Sequence, residues 1–247
     1  MDSLKVSISG IRGIAGESLT PDVIIDYIKA FAEYIKSFGR TTAIACDTRP
    51  TGDAISRIVT GTLMSMGIDV TDFQILPTPL LIYAVRKFKF SAGIVITASH
   101  NPLEWNALKF IKSQGLFFNQ NDLDALLSIK DRKSYHYANF QEYGKYLKKS
   151  NDEFIDEYID DLLTHFNVNR IKSKKFKIGY DPVNSTGALV TPVLLKKLDC
   201  EFYPVNDDIS KDFGRGAEPL AENLADLSGL VNEKSLDIGF AQDPDAD

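Results

Sequence analysis

The sequence predicts an α/β protein: two similar α/β/α domains in tandem, each with a mixed, mainly parallel sheet covered by helices. Three observations carry this. Short apolar runs rich in Val, Ile and Ala alternate with longer amphipathic segments, the order that builds sheets with helices on both faces. The length of 247 residues suits two domains of ordinary size better than one. The later part of the chain also repeats the grammar of the earlier part, which divides it into residues 1–145 and 146–247.

The elements follow in order. Thr20-Pro21 opens the first clear helix, with Thr as N-cap and Pro at its first position; apolar residues recur at Ile24, Ile28, Phe31 and Ile35, and Gly39 closes it. TAIACD (Thr42–Asp47) reads as a buried strand, Ala54–Gly67 as a helix and IDVTDF (Ile68–Phe73) as a strand. Leu76–Phe88 is a helix with Pro in its first turn, and AGIVITA (Ala92–Ala98) is the next strand. A strand at Ala107–Lys112 and a helix at Asp122–Ile129 finish the unit. Ser150–Phe166 has a capping-box pattern, Ser150 with Glu153, ahead of Phe154, Ile155, Tyr158, Ile159, Leu162 and Leu163; it reads as a connector helix. The basic, polar stretch Asn169–Lys175 leads into the second domain. There KIGYDPVNSTG (Lys177–Gly187) echoes AIACDTRPTG (Ala43–Gly52): a strand ending in Asp, a polar turn, then Gly opening a helix. Helix Ala188–Leu198 leads to strand CEFYPV, and Asp237–Asp247 stands where AGIVITASHNP stands in the first unit.

Composition limits the function classes. Hydrophobic residues make up 44% and charged residues 25%, which excludes a disordered or membrane-spanning chain. A net charge of -6 argues against a non-specific nucleic-acid surface, although a few basic residues in a cleft can still bind an anion. Apolar runs such as Gly93–Ala98 are too short to cross a bilayer, and MDSLKVSISG lacks the basic and apolar regions of a signal peptide. Cys46 and Cys200 are too few for a disulfide framework and are expected reduced, in strands. The expectation is a cytoplasmic protein with no nucleic-acid or membrane partner.

TASHNP (Thr97–Pro102) and DPDAD (Asp243–Asp247) occupy matching places past strand ends. In open parallel sheets that edge binds ligands, and two facing domains would bring Ser99 toward the aspartates. Taken alone, Ser99 could cap a polar turn. A hydrolytic Ser99–His100 pair is disfavoured, because adjacent residues in extended backbone project to opposite sides. The aspartates alone fit a solvated acidic loop, or the start of an EF-hand loop, although LDIGFA reads as a strand rather than a helix. Three carboxylates at alternate positions repel one another unless a cation lies between them, and short acidic ligands suit Mg²⁺. Together the two stretches explain each other. A phosphoserine carries about two negative charges at neutral pH, and a divalent metal between it and the aspartates would poise a phosphoryl group for transfer.

On these residues the chain resembles the N-terminal half of the α-D-phosphohexomutases, a family that includes phosphoglucomutase/phosphomannomutase and phosphoglucosamine mutase. TASHNP resembles its phosphoserine loop, GIRG (Gly10–Gly13) its N-terminal signature and DPDAD its metal loop. The resemblance implies that Ser99 is phosphorylated and that its phosphate, with Asp243, Asp245 and Asp247, binds Mg²⁺. It implies that Arg12, in the GIRG turn, reaches the phosphoserine, a planar guanidinium being suited to phosphate; the plainer reading is a surface arginine. His100 and Lys109 are the implied general acid/base residues. Alternatively His100 bonds the loop backbone and Lys109 is an exposed strand residue. Arg49 in DTRP reads as a brace that pairs with a carboxylate.

Some features depart from the family pattern. Pro244 and Ala246 stand where glycines are usual, and the arginine that normally follows the third aspartate is missing. FGRGAEP (Phe213–Pro219) only loosely resembles the family's Pro-rich segment and has no assigned role. Family members are longer, with four domains. Residues 1–145 correspond to domain I, and 146–247 to a connector helix plus domain II. Domains III and IV, with the sugar-recognition and distal-phosphate loops, are absent, so a fragment, inactive alone, is expected. The predicted function is interconversion of hexose 1-phosphate and 6-phosphate through a phosphoserine and a hexose bisphosphate. Glucose or mannose phosphate is the first substrate reading and glucosamine phosphate the second. A non-catalytic metal- or phosphate-binding module is the alternative of another class; a DxD phosphatase would leave TASHNP unexplained. Ser99 Oγ is expected roughly 4–8 Å from the nearest carboxylate, spanned by one phosphate and one metal.

Overall fold

In the computed structural model, which describes residues 3–247, the chain begins with a hairpin of β1 (Lys5–Ser7) and β2 (Gly10–Ile14). Gly10 turns at φ +117°, and a Cβ there would lie 2.7 Å from the Leu108 carbonyl oxygen, so glycine lets β2 approach its neighbour. There follow α1 (Pro21–Ile35), β3 (Thr41–Cys46), α2 (Gly52–Ser65), β4 (Asp69–Ile75), α3 (Thr78–Lys87), β5 (Ala92–Ile96), β6 (Trp105–Lys112), α4 (Gln120–Arg132) and β7 (Tyr146–Lys148). The start of α1 obeys its local residues: Thr20 Oγ1 accepts from the Val23 N–H at 3.4 Å, with Pro21 in the first turn.

The strands form one sheet in the order β1-β2-β6-β5-β3-β4-β7. The strand β3 lies parallel between β5 and β4, whereas β6 runs antiparallel between β5 and β2. That reversal follows from the short loop after β5, which is too brief for a crossover helix. The strand β7 starts just past the expected division at 145/146, yet pairs with β4 and so extends the first sheet. Side chains alternate between the two faces. Ile44, Ile94 and Ile96 pack under α1, α2 and α4, while Ala43, Ala45 and Val95 face α3 and the connector.

The connector is α5 (Asp152–Leu163), followed by α6 (Val168–Lys172). The polar stretch Asn169–Lys175 thus supplies most of a short helix rather than plain linker. The expected Ser150–Glu153 capping box is not formed. Asn151 occupies the N-cap, and its Nδ2 donates instead to the Phe73 and Ile75 carbonyls at 2.6 and 2.9 Å, tying α5 to the end of β4. The capping box lies on α4, where Asn119 and Asp122 exchange side-chain-to-backbone bonds at 3.1 and 2.9 Å.

The second unit has β8 (Lys177–Asp181), α7 (Gly187–Lys197), β9 (Glu201–Pro204), α8 (Ala225–Glu233) and β10 (Ile238–Ala241). Its sheet, β10-β8-β9, is all parallel and repeats the local order β5-β3-β4. Among the described residues, five of the eight strand pairings are therefore parallel. The helix α7 lays Leu189, Val190, Val193 and Leu194 against the cluster shared by α3 and α5, which joins the two units through apolar contact. Cys46 ends β3 and Cys200 directly precedes β9; both thiols are free. No helix among the described residues is long and apolar enough to cross a membrane.

Phe154 of α5 packs against Phe73, Phe88 and Tyr83 at centroid distances of 5.3, 5.6 and 5.9 Å. Phe154→Ala should lower the unfolding free energy by about 3–5 kcal/mol, whereas Ser150→Ala, with no cap to lose, should stay within about 0.5 kcal/mol. Urea denaturation of the two variants checks the contrast, and equal losses would contradict this account of the α5 start.

Candidate active site

The site begins with the strand ends. Asp47 follows β3 and is buried; its Oδ1 accepts from the Arg49 N–H at 3.0 Å, and its Oδ2 accepts from the Thr97 hydroxyl at 2.6 Å and from the Arg49 guanidinium. Arg49 is the expected brace, and it does more than pair. Its Nη2 donates to the carbonyl oxygens of Ser99 and Asn101 at 2.9 and 2.5 Å. Thr97 Oγ1 in turn accepts from the Ser99 N–H at 2.9 Å. These bonds hold Ser99 at φ +52°, a left-handed conformation that a serine rarely adopts. Arg12 lies within β2 rather than in a turn, and its Nη1 donates to Asn101 Oδ1 at 2.7 Å. It thereby reaches the same loop from the neighbouring strand.

The carboxylate loop leaves β10 and enters the crevice between the domains. The Pro244 carbonyl accepts from Ser185 Oγ, Thr186 Oγ1 and the Thr186 N–H at 2.6, 2.8 and 3.3 Å. Asp245 is fully buried against the first domain: its carbonyl accepts from the Thr78 N–H at 2.9 Å, and its Oδ2 from Thr78 Oγ1 and Lys109 Nζ, both at 2.7 Å. Lys109 is therefore buried rather than an exposed strand residue, and its Nζ also lies 3.6 Å from Asp247 Oδ2.

The two loops meet. Ser99 Oγ donates to Asp243 Oδ2 at 2.6 Å, closer than the expected span. The difference has a simple cause: an unmodified hydroxyl satisfies a carboxylate directly, whereas a phosphate and a cation must fit between them. Exposed His100 places its Nδ1 3.5 Å from Ser99 Oγ, at the outer limit of a hydrogen bond.

The carboxylates fit a cation. Asp243, Asp245 and Asp247 each offer an oxygen within 4.8 Å of the others. Asp243 Oδ1 and Asp245 Oδ1 are buried acceptors without a hydrogen-bond partner, and such groups are costly unless something positive faces them. Burial, with the neighbouring Asp245 charge, pushes the Asp243 carboxyl up to about 7. Burial also opposes the Asp245 charge, but Lys109 outweighs it and leaves that carboxyl below its ordinary value. An all-oxygen donor set of this kind suits a hard divalent cation such as Mg²⁺.

Ser99, His100, Arg12, Lys109 and the three aspartates thus gather at one crevice. Thr97 lies in the TASHNP loop that the sequence singles out, whereas Thr78 and Asp47 were not expected as parts of the site. Thr78 carried the weakest signal, a threonine between two prolines at a helix start.

Two family descriptions match the chain: phosphoglucomutase/phosphomannomutase, alpha/beta/alpha domain I, over residues 4–136, and domain II over residues 156–247. The phosphoglucosamine/phosphogalactosamine mutase of Sulfurisphaera tokodaii is 33% identical over 241 residues, which cover 96% of this chain and 52% of that protein. The phosphoglucomutase/phosphomannomutase of Thermococcus kodakarensis is 33% identical over 242 residues, again 96% and 52%. The chain spans about half the length of the curated relatives it matches. A crystal structure of a phosphoglucomutase/phosphomannomutase family protein from Burkholderia thailandensis shares the fold, with TM-score 0.75 and 24% identity over 98% of this chain and 54% of that one.

The Asp243 shift predicts a pH dependence in the presence of chelator. A carboxyl raised to about 7 in the folded chain, against an ordinary value near 4, gives stability that is full below the lower value and is lost as pH rises through the upper one. Asp243→Asn should therefore gain on the parent between about pH 4 and pH 8. Urea denaturation at both ends checks this, and parallel stability curves would show that the carboxyl is not shifted.

Proposed function

Because the chain belongs to the phosphoglucomutase/phosphomannomutase family of α-D-phosphohexomutases, we propose that Ser99 is the phosphoserine through which a hexose 1-phosphate and 6-phosphate are interconverted. The observation that supports it most directly is the approach of Ser99 Oγ to Asp243 beside two unpartnered buried carboxylate oxygens. Asp243, Asp245 and Asp247, with the Ser99 phosphate, would hold Mg²⁺, which when bound offsets the charge of the phosphoryl group and favours its transfer.

The chain's own residues supply the rest. In the first step the P–Oγ bond of phosphoserine 99 breaks and a P–O bond forms to the free hydroxyl of a hexose monophosphate, whose proton passes to a base. In the second, Ser99 Oγ takes the other phosphoryl group from the resulting bisphosphate, and a proton returns to the sugar oxygen. Phosphoserine is restored and the monophosphate is isomerised. Exposed His100, next to Ser99 Oγ, is placed to handle these protons; Lys109 is engaged by Asp245 and balances the carboxylates. Arg12, bonded to Asn101, sets a guanidinium near the phosphoryl position. Arg49 and Thr97 hold the serine loop so that little reorganisation is needed at transfer.

Glucose or mannose phosphate is the first reading of the substrate and glucosamine phosphate the second. Phosphoglucosamine mutases match at 31–36% identity and a phosphoglucomutase/phosphomannomutase at 33%, so percentage identity does not choose between them. Completing the cycle also needs the bisphosphate retained and presented in line a second time. This chain, about half the length of its relatives, is therefore proposed to accept a phosphoryl group at Ser99 but not to turn over alone.

Intact-mass analysis after incubation with glucose 1,6-bisphosphate and Mg²⁺ should show one added phosphoryl group, absent in Ser99→Ala. No phosphate at Ser99 would leave the non-catalytic binding module as the better reading. Phosphorylation replaces a donated proton with about two negative charges facing Asp243. Millimolar Mg²⁺ should therefore raise the thermal midpoint more for the phosphorylated chain than for the unmodified one, and Asp245→Asn should reduce that gain. A midpoint indifferent to Mg²⁺ in both forms would exclude the metal site.

A further inference from the structure

Asp47 and Asp181 end corresponding strands and are held alike. Asp47 Oδ1 accepts from the Arg49 N–H at 3.0 Å, and Asp181 Oδ1 from the Val183 N–H at 2.9 Å. Asp47 Oδ2 takes the Arg49 guanidinium and the Thr97 hydroxyl, while Asp181 Oδ2 takes Arg215 Nε at 2.9 Å and Asn206 Nδ2 at 3.0 Å. The domains differ in where the arginine comes from. In the first it stands two residues after the aspartate. At that place the second domain has Val183, and the guanidinium arrives from a loop 34 residues along the chain.

Each guanidinium then crosses to the loop after the adjacent strand. Arg49 holds the carbonyls of Ser99 and Asn101. Arg215 Nη2 donates to the Gln242 carbonyl at 2.7 Å and to the Asp181 carbonyl at 3.2 Å, and Nη1 to the Gly216 carbonyl at 2.9 Å. Gln242 directly precedes Asp243. The Arg215 side chain is only 6% exposed. Its planar guanidinium reaches one carboxylate and three carbonyls at once, more partners in fixed directions than the three donors of an ammonium can hold. Phe213 lies against Arg49, its ring centroid 5.0 Å from the guanidinium carbon. One segment therefore touches both clamps.

We propose that Phe213–Arg215 is a positioning strap. Arg215 fixes the backbone from which the carboxylate loop departs, as Arg49 fixes the serine loop, and Phe213 links the two so that Ser99 and Asp243 stay in register. Neither side chain touches the reacting atoms. The functional meaning rests on the phosphoryl-transfer reading above, but the mechanical effect is measurable without phosphate or metal.

Two amides report how the carboxylate loop is seated: the Thr78 N–H on the Asp245 carbonyl and the Thr186 N–H on the Pro244 carbonyl. In the metal-free chain, Arg215→Gln should accelerate hydrogen exchange at both by about tenfold or more. The Ile44 and Ile94 amides of the first sheet should be unchanged, and Arg215→Lys should recover only part of the protection. Phe213→Leu should instead speed exchange of the Asn101 amide, which bonds the Ala98 carbonyl in the serine loop. In a second arm, Mn²⁺ affinity followed by electron paramagnetic resonance should fall about tenfold in Arg215→Gln, as when a group supporting metal ligands is removed. Unchanged exchange at Thr78 and Thr186, or uniform acceleration that includes Ile44 and Ile94, overturns the strap. If the unsubstituted chain binds no Mn²⁺, the functional reading fails, while the exchange comparison still decides the strap.

Discussion

Buried Asp245 bonds the second domain to the first through both its side chain and its backbone. It belongs to the second domain by sequence, yet its carboxylate accepts from Thr78 Oγ1 and Lys109 Nζ of the first, and its backbone carbonyl accepts from the Thr78 N–H. Burying a charge is costly unless donors surround it, and removing one partner of such a pair costs about 3–5 kcal/mol. The relative placement of the domains is thus set by polar contacts as well as by the apolar seam of α3, α5 and α7. The apolar seam is tolerant of small shifts; the Asp245 contacts, being directional, are not.

That placement gives the crevice its chemistry. Lys109 and Thr78 satisfy one oxygen of Asp245 and leave the other without a partner, next to a similarly unpartnered oxygen of Asp243. Two buried acceptors facing the same space are unfavourable as carboxylates alone and favourable around a cation. On the opposite wall, Ser99 is held at positive φ, a conformation that costs on the order of 1–3 kcal/mol and persists because Arg49 and Thr97 bond the backbone on both sides. The energy spent on that loop fixes the serine toward the carboxylates.

The internal repeat made much of this readable from sequence. Strand ends at Asp47 and Asp181, and loops at Thr97–Pro102 and Asp243–Asp247, fall at corresponding places in β5-β3-β4 and β10-β8-β9. Once the two stretches were seen as equivalent, their meeting at one crevice followed from the rule that ligands gather at the carboxyl ends of parallel strands. Hydrophobic period, proline at helix starts and acidic spacing are local properties, visible without coordinates. Local patterns also misled where tertiary partners were stronger. The Ser150–Glu153 pattern gave way because Asn151 found two free carbonyls at the end of β4.

By itself, then, the sequence determined the strand–helix order, the tandem domains and the groups available for chemistry: a serine, a histidine, a lysine and three aspartates. The tertiary structure alone decided which atoms those groups face. Arg49 reaches Ser99 across 50 positions, Thr78 reaches Asp245 across 167 and Arg215 reaches Asp181 across 34. Many of the acceptors that orient the two loops are backbone carbonyls, which every residue carries and which leave no mark in the sequence. Where a carbonyl ends up depends on the packing of whole helices, and only the folded chain brings it within 3 Å of its donor.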